Sequence, residues 1–551
     1  MDNPQRRPLE SSKIWMPLAL AIVLVLGILI GGRLQQFVPA VYIDRADEYD
    51  AQAWKQGTIE ELIRYVEAKY VDSTDRRSLT EAAINTILND LDPHSSYIPA
   101  EELAEVNDQL EGNFDGIGVE FLMLEDTIVV VAPMAGGPSE AAGILAGDKI
   151  VQIEDSIIVG KNLKTEDIIN MLRGEKGSEV GIGVLRYGEK QIRKFKVKRD
   201  KIPVYSVEVA YMLNKNTGYI KINRFSATTY EEFMKGLETL SAKGLKNVIL
   251  DLRYNPGGYL QQATNMLSQF FKEKDKLLVY TQGRTVSRTE YKTTGRPSFD
   301  IDNVVVLIDE GSASASEIIA GAIQDHDRGL IVGRRSFGKG LVQEQYRLSD
   351  GSALRLTVAR YYTPSGRSIQ KPYKDNAAYE EDVLKRYESG EFFSADKNVV
   401  KDSTRFYTSG GHVVFGGGGI MPDVFVPVDS TLMNDLYLEL RQHVSGFVFN
   451  YMQQHEKRFK DYQLASFRSN FYTSDEMYNE FIKYAEAKGV KKKPKEGTSI
   501  KKEIKHFIKA RISRHLFNEE GFYTVWNDAD NVVKKAVELL GNPDPIAAVK
   551  K

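Results

Sequence analysis

Five consecutive apolar residues, Val304-Val305-Val306-Leu307-Ile308, lead into a serine cluster and then a helical pattern, an order that constrains the fold more than any other stretch of the chain. The run is short, continuous and β-branched, which predicts a buried strand. It is followed by Gly311-Ser312-Ala313-Ser314-Ala315-Ser316-Glu317 and then by Ile318-Ile319-Ala320-Gly321-Ala322-Ile323-Gln324, where the apolar residues recur at helical spacing. Ser314 therefore falls at a strand-to-helix turn. Unpaired N–H groups and the helix dipole at such a turn can hold a developing oxyanion. The same residues also have a plainer use, because Ser314 with Glu317 three positions on is a capping box, and Ser316 is an ordinary first-turn residue.

A serine hydroxyl needs a base. The segment Ser336-Phe337-Gly338-Lys339-Gly340 places a lysine 25 residues after Ser314, with Gln343 four residues further on. An amine serves as base when burial lowers its pKa from about 10.4 towards neutrality, and Phe337, Leu341 and Val342 are apolar neighbours able to desolvate Lys339. Gln343 is spaced to fix the amine. Two rival chemistries fail on the same residues. Gly333 to Lys339 has the GxxxxGK spacing of a phosphate loop, but Gly340 stands where Ser or Thr would hold magnesium. His326 is the nearest histidine, yet twelve residues of helix separate it from Ser314 by about 18 Å.

Read together, SASASE followed by FGKGxxQ resembles the carboxy-terminal processing, or tail-specific, proteases. Four further segments resemble that family: Leu91-Asp92-Pro93-His94-Ser95, Asp251-Leu252-Arg253-Tyr254-Asn255-Pro256-Gly257-Gly258, Tyr362-Thr363-Pro364-Ser365-Gly366-Arg367 and Gly418-Gly419-Ile420-Met421-Pro422-Asp423. The resemblance covers roughly residues 58 to 428. Tyr254 departs from the asparagine common there. The resemblance implies Ser314 as nucleophile, Lys339 as general base and Gln343 as the residue that orients the lysine. It also implies an oxyanion hole from the Ala315 N–H and a glycine N–H, either Gly257 or Gly258. Asp251 and Arg253 are expected to shape that loop.

From Gly112 to about Val204 the pattern turns to short strands. Gly116-Ile117-Gly118-Val119-Glu120-Phe121, Ile128-Val129-Val130-Val131 and Ala142-Gly143-Ile144-Leu145-Ala146-Gly147-Asp148 resemble a PDZ domain. Gly116, Ile117, Gly118 and Val119 would then bind a peptide carboxylate through backbone amides, with the peptide added as an edge strand. Thr165 to Leu172 would be the groove helix, followed by Arg173. Next, strands at Tyr219 to Asn223, Val248 to Asp251, Leu277 to Thr281 and Val304 to Ile308 alternate with helices from about Thr229 and near Gln261 to Phe271, predicting a mixed α/β domain. The resemblance narrows this to a crotonase-like ββα core. Leu354 to Tyr362 should be another strand, closing a catalytic cap with Gly416 to Gly419 and Pro422-Asp423.

The absence of cysteine excludes disulfides, a thiol nucleophile and a cysteine zinc site. His94 has no companion ligands at metal spacing. Neither metal nor cofactor is expected, and a net charge of -3 points to no nucleic-acid partner. Ile14 to Gly32 are nineteen residues without a charge, preceded by Arg6, Arg7 and Lys13. This predicts an uncleaved single-pass anchor with the amino terminus cytoplasmic and the rest outside, in a periplasm or beyond the cell. A signal peptide cleaved near Val38-Pro39-Ala40 is the alternative.

The expected organisation is a tail and anchor over 1–33, an amino-terminal helical region over 34–111, a PDZ domain over 112–204, a serine protease core over 205–428 and a helical extension over 429–551. Thr58 with Glu61, and Ser78 with Glu81, should open the amino-terminal helices, with Ile59, Leu62, Ile63 and Val66 on one apolar face and Ile84, Ile87, Leu88 and Leu91 on the other. The partners to expect are proteins or peptides held by their carboxy termini, the membrane, a second copy of the chain and an activating adaptor. Lys491, Lys492, Lys493 and Lys495 read as a solvated linker. The competing function is a PDZ scaffold that captures tails and recruits other envelope enzymes without proteolysis. Ser314, Lys339 and Gln343 together count against it.

Overall fold

The computed structural model describes residues 57–550 apart from 125, 135 and 399–401. The expected anchor and the alternative cleavage sequence lie outside these residues. Among the described residues no helix is long and apolar enough to cross a membrane. The chain forms two compact units, one up to Thr80 and one from Glu81.

In the first unit the helix Thr58–Lys69 starts from Gly57 at φ 102°, not from a Thr58–Glu61 box. Of its expected stripe Ile63 is buried, whereas Ile59 and Leu62 are 50% and 62% exposed. The next helix, Arg76–Asn89, begins before Ser78 because the Asp75 carboxylate takes the capping role, accepting from the Ser78 N–H at 2.9 Å and its hydroxyl at 2.7 Å.

The second unit includes an antiparallel sheet with β1 (Val119–Leu124) at one edge. Its core packs Val130, Ile150, Ile182 and Val197 against Ile168 and Leu172 of α1 (Thr165–Leu172). β1, at the edge of the sheet, and α1 thus both pack on this one core.

The catalytic sheet has six strands: β2 (Val207–Met212), β3 (Thr217–Ile222), β4 (Asn247–Asp251), β5 (Asn303–Ile308), β6 (Gly329–Gly333) and, far along the chain, β9 (Val424–Phe425). All neighbours run parallel except β2 and β3. The register aligns Ile220, Leu250, Val306 and Ile331 across one face and Tyr219, Ile249, Val305 and Leu330 across the other. Side chains alternate faces along a strand, so with apolar residues aligned on both sides, both faces of the sheet must be covered. On the first face lie α2 (Thr229–Ser241), α3 (Leu260–Leu267) and α4 (Ala315–Asp325). Val532, Val533, Ala536 and Leu539 of a distant helix, Asn531–Leu540, cover the second.

A second sheet carries β7 (Leu341–Arg347) and β8 (Ala353–Tyr362), with Ser96–Ile98 paired to β8 on the far side. The expected cap forms only in part. Gly419 packs against Ser336 and Gly338, while Asp423 leads into β9 at the edge of the catalytic sheet, its Oδ2 accepting from the Ile331 N–H at 2.8 Å.

The extension has its own aromatic core around Phe447, Phe467, Phe481 and Phe507. Among its helices are α5 (Asp435–Gln454), α6 (Ser499–Trp526), which bends at Phe517 and Asn518, and α7 (Asn531–Leu540), the helix on the catalytic sheet. It also touches the PDZ region, where Arg514 pairs with Glu120 of β1 at 2.7 Å.

Candidate active site

Buried β5 delivers the chain to the serine cluster, and α4 carries it away. At the junction Ser314 adopts φ 55°, ψ -114°, a conformation L-residues rarely hold and one that neighbours must enforce. The three serines divide their work. Ser312 Oγ donates to the Leu252 carbonyl and Ser316 Oγ to the Asn255 carbonyl, each at 2.9 Å, so both brace the adjoining loop. Ser314 is the one whose hydroxyl is not spent on that loop.

That loop is Arg253 to Gly258. The Asp251 carboxylate, fully buried, accepts from Arg253, whose Nη1 reaches Asp530 at the start of α7 at 2.9 Å. A Cβ on Gly257 would lie 2.7 Å from Ser314 Cβ and 2.9 Å from the Ala315 nitrogen, so only glycine lets the loop approach the serine turn this closely. The two glycines differ in what their amides do. The Gly257 N–H donates to Asn255 Oδ1 at 2.9 Å. Among the described residues neither Gly258 nor Ala315 donates its N–H to any partner, which leaves those two amides available to an incoming oxygen.

Lys339 stands in the turn before β7. Its Nζ donates to Gln343 Oε1 at 3.1 Å, and Gln343 Nε2 donates in turn to the His94 carbonyl. Burial holds the lysine pKa below its usual 10.5, and the nearby Arg355 charge lowers it further. His94 Nε2 meets the Tyr379 hydroxyl at 2.6 Å, and burial, helped by the Lys339 charge, pulls the imidazole pKa down to about 4. Asp92 organises this corner, its Oδ1 accepting from the His94 and Ser95 amides at 2.8 and 2.9 Å. Among the described residues no cluster of potential metal ligands occurs.

Sequence reasoning missed how these parts are joined. Glu317, read as a capping partner, is fully buried and accepts four hydrogen bonds. Its Oε2 takes the Ser314 N–H and the Lys339 N–H, both at 2.9 Å; its Oε1 takes the Gly338 N–H at 2.7 Å and the Ser336 hydroxyl at 2.5 Å. Burial pushes its pKa up to about 7, against the pull of those four donors. The capping spacing was the one available signal for it. Tyr361, also missed, sends its hydroxyl into the same junction.

In the PDZ region, the Ile117 and Gly118 amides donate to no described residue, while the Ile117 carbonyl is held by the Ser139 N–H at 3.0 Å and its hydroxyl at 2.6 Å. Gly118 has φ 65° and begins the turn into β1; Gly116 ends the preceding strand and Val119 starts β1. The loop thus leaves two amides without a described acceptor just before β1, an edge strand of its sheet. Arg173, just after α1, pairs with Glu105 at 3.0 Å.

Comparison with known proteins bears on the same segments. Residues 216–377 match the family model described as Peptidase family S41, residues 116–201 match PDZ domain, and residues 436–518 match a family of unknown function (DUF8443). The chain is 39% identical to a carboxy-terminal-processing protease of Bartonella bacilliformis, over 57% of this chain and 74% of that protein. It is 36% identical to the carboxy-terminal processing protease CtpB of Bacillus subtilis, over 57% of this chain and 65% of that one. Among solved structures, a photosystem II D1 C-terminal processing protease aligns at 31% identity and a TM-score of 0.32, covering 56% of this chain and 83% of that one. The chain belongs to the carboxy-terminal processing proteases of Peptidase family S41, serine proteases, and it carries a PDZ domain.

Proposed function

We propose that this protease is a membrane-anchored, extracytoplasmic endopeptidase with a Ser314–Lys339 catalytic pair. One observation carries the reading: a single buried carboxylate oxygen, Glu317 Oε2, accepts the backbone N–H of both residues. A serine in a strained turn and a desolvated lysine in another turn are thereby brought to one point. In the cycle, neutral Lys339 takes the Ser314 hydroxyl proton as Oγ attacks the peptide carbonyl. The Ala315 and Gly258 amides receive the oxyanion. Collapse breaks the C–N bond, and the leaving amine takes the proton from Lys339. Water, deprotonated by the Lys339 amine, then attacks the acyl carbonyl; the C–O bond to Ser314 breaks, and Lys339 returns the proton to Ser314 Oγ. Gln343 aims the amine throughout.

The Gly116–Val119 loop would hold the substrate's terminal carboxylate, with the tail lying along β1 as a further strand. The uncharged run Ile14 to Gly32 with Arg6, Arg7 and Lys13 before it supports a cytoplasmic amino terminus and an active site outside the inner membrane. The exposed Ile59 and Leu62 support self-association through the first unit, and an adaptor that opens the enzyme belongs to the same reading.

The test incubates a protein with an apolar carboxy terminus with wild type and with Ser314→Ala, and follows it by intact mass and peptide mapping. Cleavage by the wild type alone is expected. Retained cleavage by purified Ser314→Ala would sink the assignment, and tail binding by both without cleavage would favour the scaffold.

A further inference from the structure

The Ser314 and Lys339 peptide units share a second partner on the side away from Glu317. Tyr361, on β8, is 1% exposed, and its hydroxyl reaches the Lys339 carbonyl at 2.6 Å and the Ser314 carbonyl at 3.1 Å. A phenol has one proton to donate, so the two bonds form a three-centre arrangement in which Lys339 has the better share. The carbonyls differ in their need. Ser314 O already accepts from the Glu317 and Ile318 amides at 2.8 and 3.0 Å, as the start of a helix requires. The Lys339 carbonyl, in a turn between glycines, has the phenol as its donor. Glu317 thus ties the two residues by their N–H groups and Tyr361 ties them by their C=O groups. The ring itself is anchored independently, because the Tyr361 N–H donates to the Gly340 carbonyl at 3.0 Å and the ring packs in the core beneath α4.

We propose that Tyr361 is a positioning residue that sets the separation and orientation of Ser314 and Lys339 by holding both carbonyls with one hydroxyl. The inference rests on the Ser314–Lys339 reading. Tyr361 touches neither the substrate nor the reacting atoms. Its effect is on where the lysine turn sits, and therefore on how dry the amine is among the charges that face it, those of Arg355, Asp92 and Glu317.

The experiment compares Tyr361→Phe with wild type for kcat, KM and the pH profile of kcat/KM, on the full chain. The control is Tyr211→Phe, which removes a different buried hydroxyl, one that donates to the Tyr523 carbonyl. Tyr361→Phe is expected to lower kcat by about 10- to 100-fold, the scale of a small misplacement of reacting groups. KM should be unchanged and the alkaline-rising limb should move to higher pH; Tyr211→Phe should move neither kcat nor the limb. Wild-type kcat and an unmoved limb in Tyr361→Phe would overturn the proposal, as would an equal loss in Tyr211→Phe. If Tyr361→Phe does not fold, 3-fluorotyrosine at position 361 keeps the shape and strengthens the donor; a limb indistinguishable from tyrosine's then overturns the proposal, and a moved limb supports it. Activity in Ser314→Ala would instead defeat the underlying pair, so the two failures are told apart.

Discussion

The turn at Ser314 and the Gly116–Val119 loop of the PDZ domain both leave backbone amides without an acceptor among the described residues, yet they are built differently. Around Ser314 the amides belong to a fully buried junction, with a strained non-glycine residue fixed by Glu317 and by a loop that only Gly257 can bring so near. Around Gly118, itself buried, they lie just before edge strand β1, with the Ile117 carbonyl bonded by Ser139 and the Gly118 carbonyl by the Met134 N–H at 3.0 Å. A reaction needs its groups fixed before charge develops, whereas a binding loop has only to be open when a tail arrives. The two regions should therefore fail differently, the first in kcat and the second in KM.

The largest effect should come from Ser314→Ala, which under the proposed mechanism lowers kcat by at least about 10,000-fold with the tail still bound. Lys339→Ala should come close to it. Peptide mapping checks both activities, and a calorimetric tail titration shows whether binding survives; loss of binding together with activity would break the contrast.

Glu317→Gln should cost less, about 10- to 1,000-fold in kcat, because it keeps the shape but leaves at least one of four donors facing an amide N–H. It also sharpens the comparison through pH. Activity should rise with pH in two limbs, one near 7 as Glu317 ionises and can accept all four donors, and a higher one, below 10.5, as Lys339 loses its proton. Glu317→Gln should erase the lower limb and leave the upper. Stability carries the opposite sign. The native carboxyl titrates near 7 and the unfolded one near 4.5, so its contribution is full below 4.5 and is lost as pH rises to about 7. Denaturant unfolding across that window should show a decline that is absent from Glu317→Gln.

The smallest effect belongs to the Gly116–Val119 loop. At Gly118, φ 65° disfavours any side chain, and an added Cβ would lie 2.9 Å from Ile202 Cδ1. Gly118→Val should raise KM for carboxy-terminal tails about tenfold with kcat within about twofold, the pattern of lost uniform binding. Steady-state kinetics with free-acid and amidated tails tests this; a change in kcat alone would show the two regions to be one device.

The sequence by itself determined the elements that depend on local order. The apolar run 304–308 had to be a buried strand, the serines had to start a helix, and motif order identified the protease and PDZ segments. It left Gly257 and Gly258 undecided, because both fit the same turn chemistry and only the packing shows Asn255 occupying one amide. It placed Glu317 in a cap but gave no sign that the carboxylate oxygen accepting from Ser314 also reaches Lys339, 22 residues away. Tyr361 had no local signal at all, since an apolar-polar alternation on β8 says which face is buried and nothing of which carbonyl a phenol meets there.

The helical extension shows the limit most clearly. It was legible as a helical module after residue 428, and its lysine run 491–495 is exposed as expected. That Val532, Val533, Ala536 and Leu539 form the second cover of the catalytic sheet could not be read locally. A parallel sheet of apolar strands demands cover on both faces. Helical periodicity states that a helix has an apolar face; which sheet receives that face is decided by complementary packing between segments more than two hundred residues apart, and only the tertiary structure holds that information.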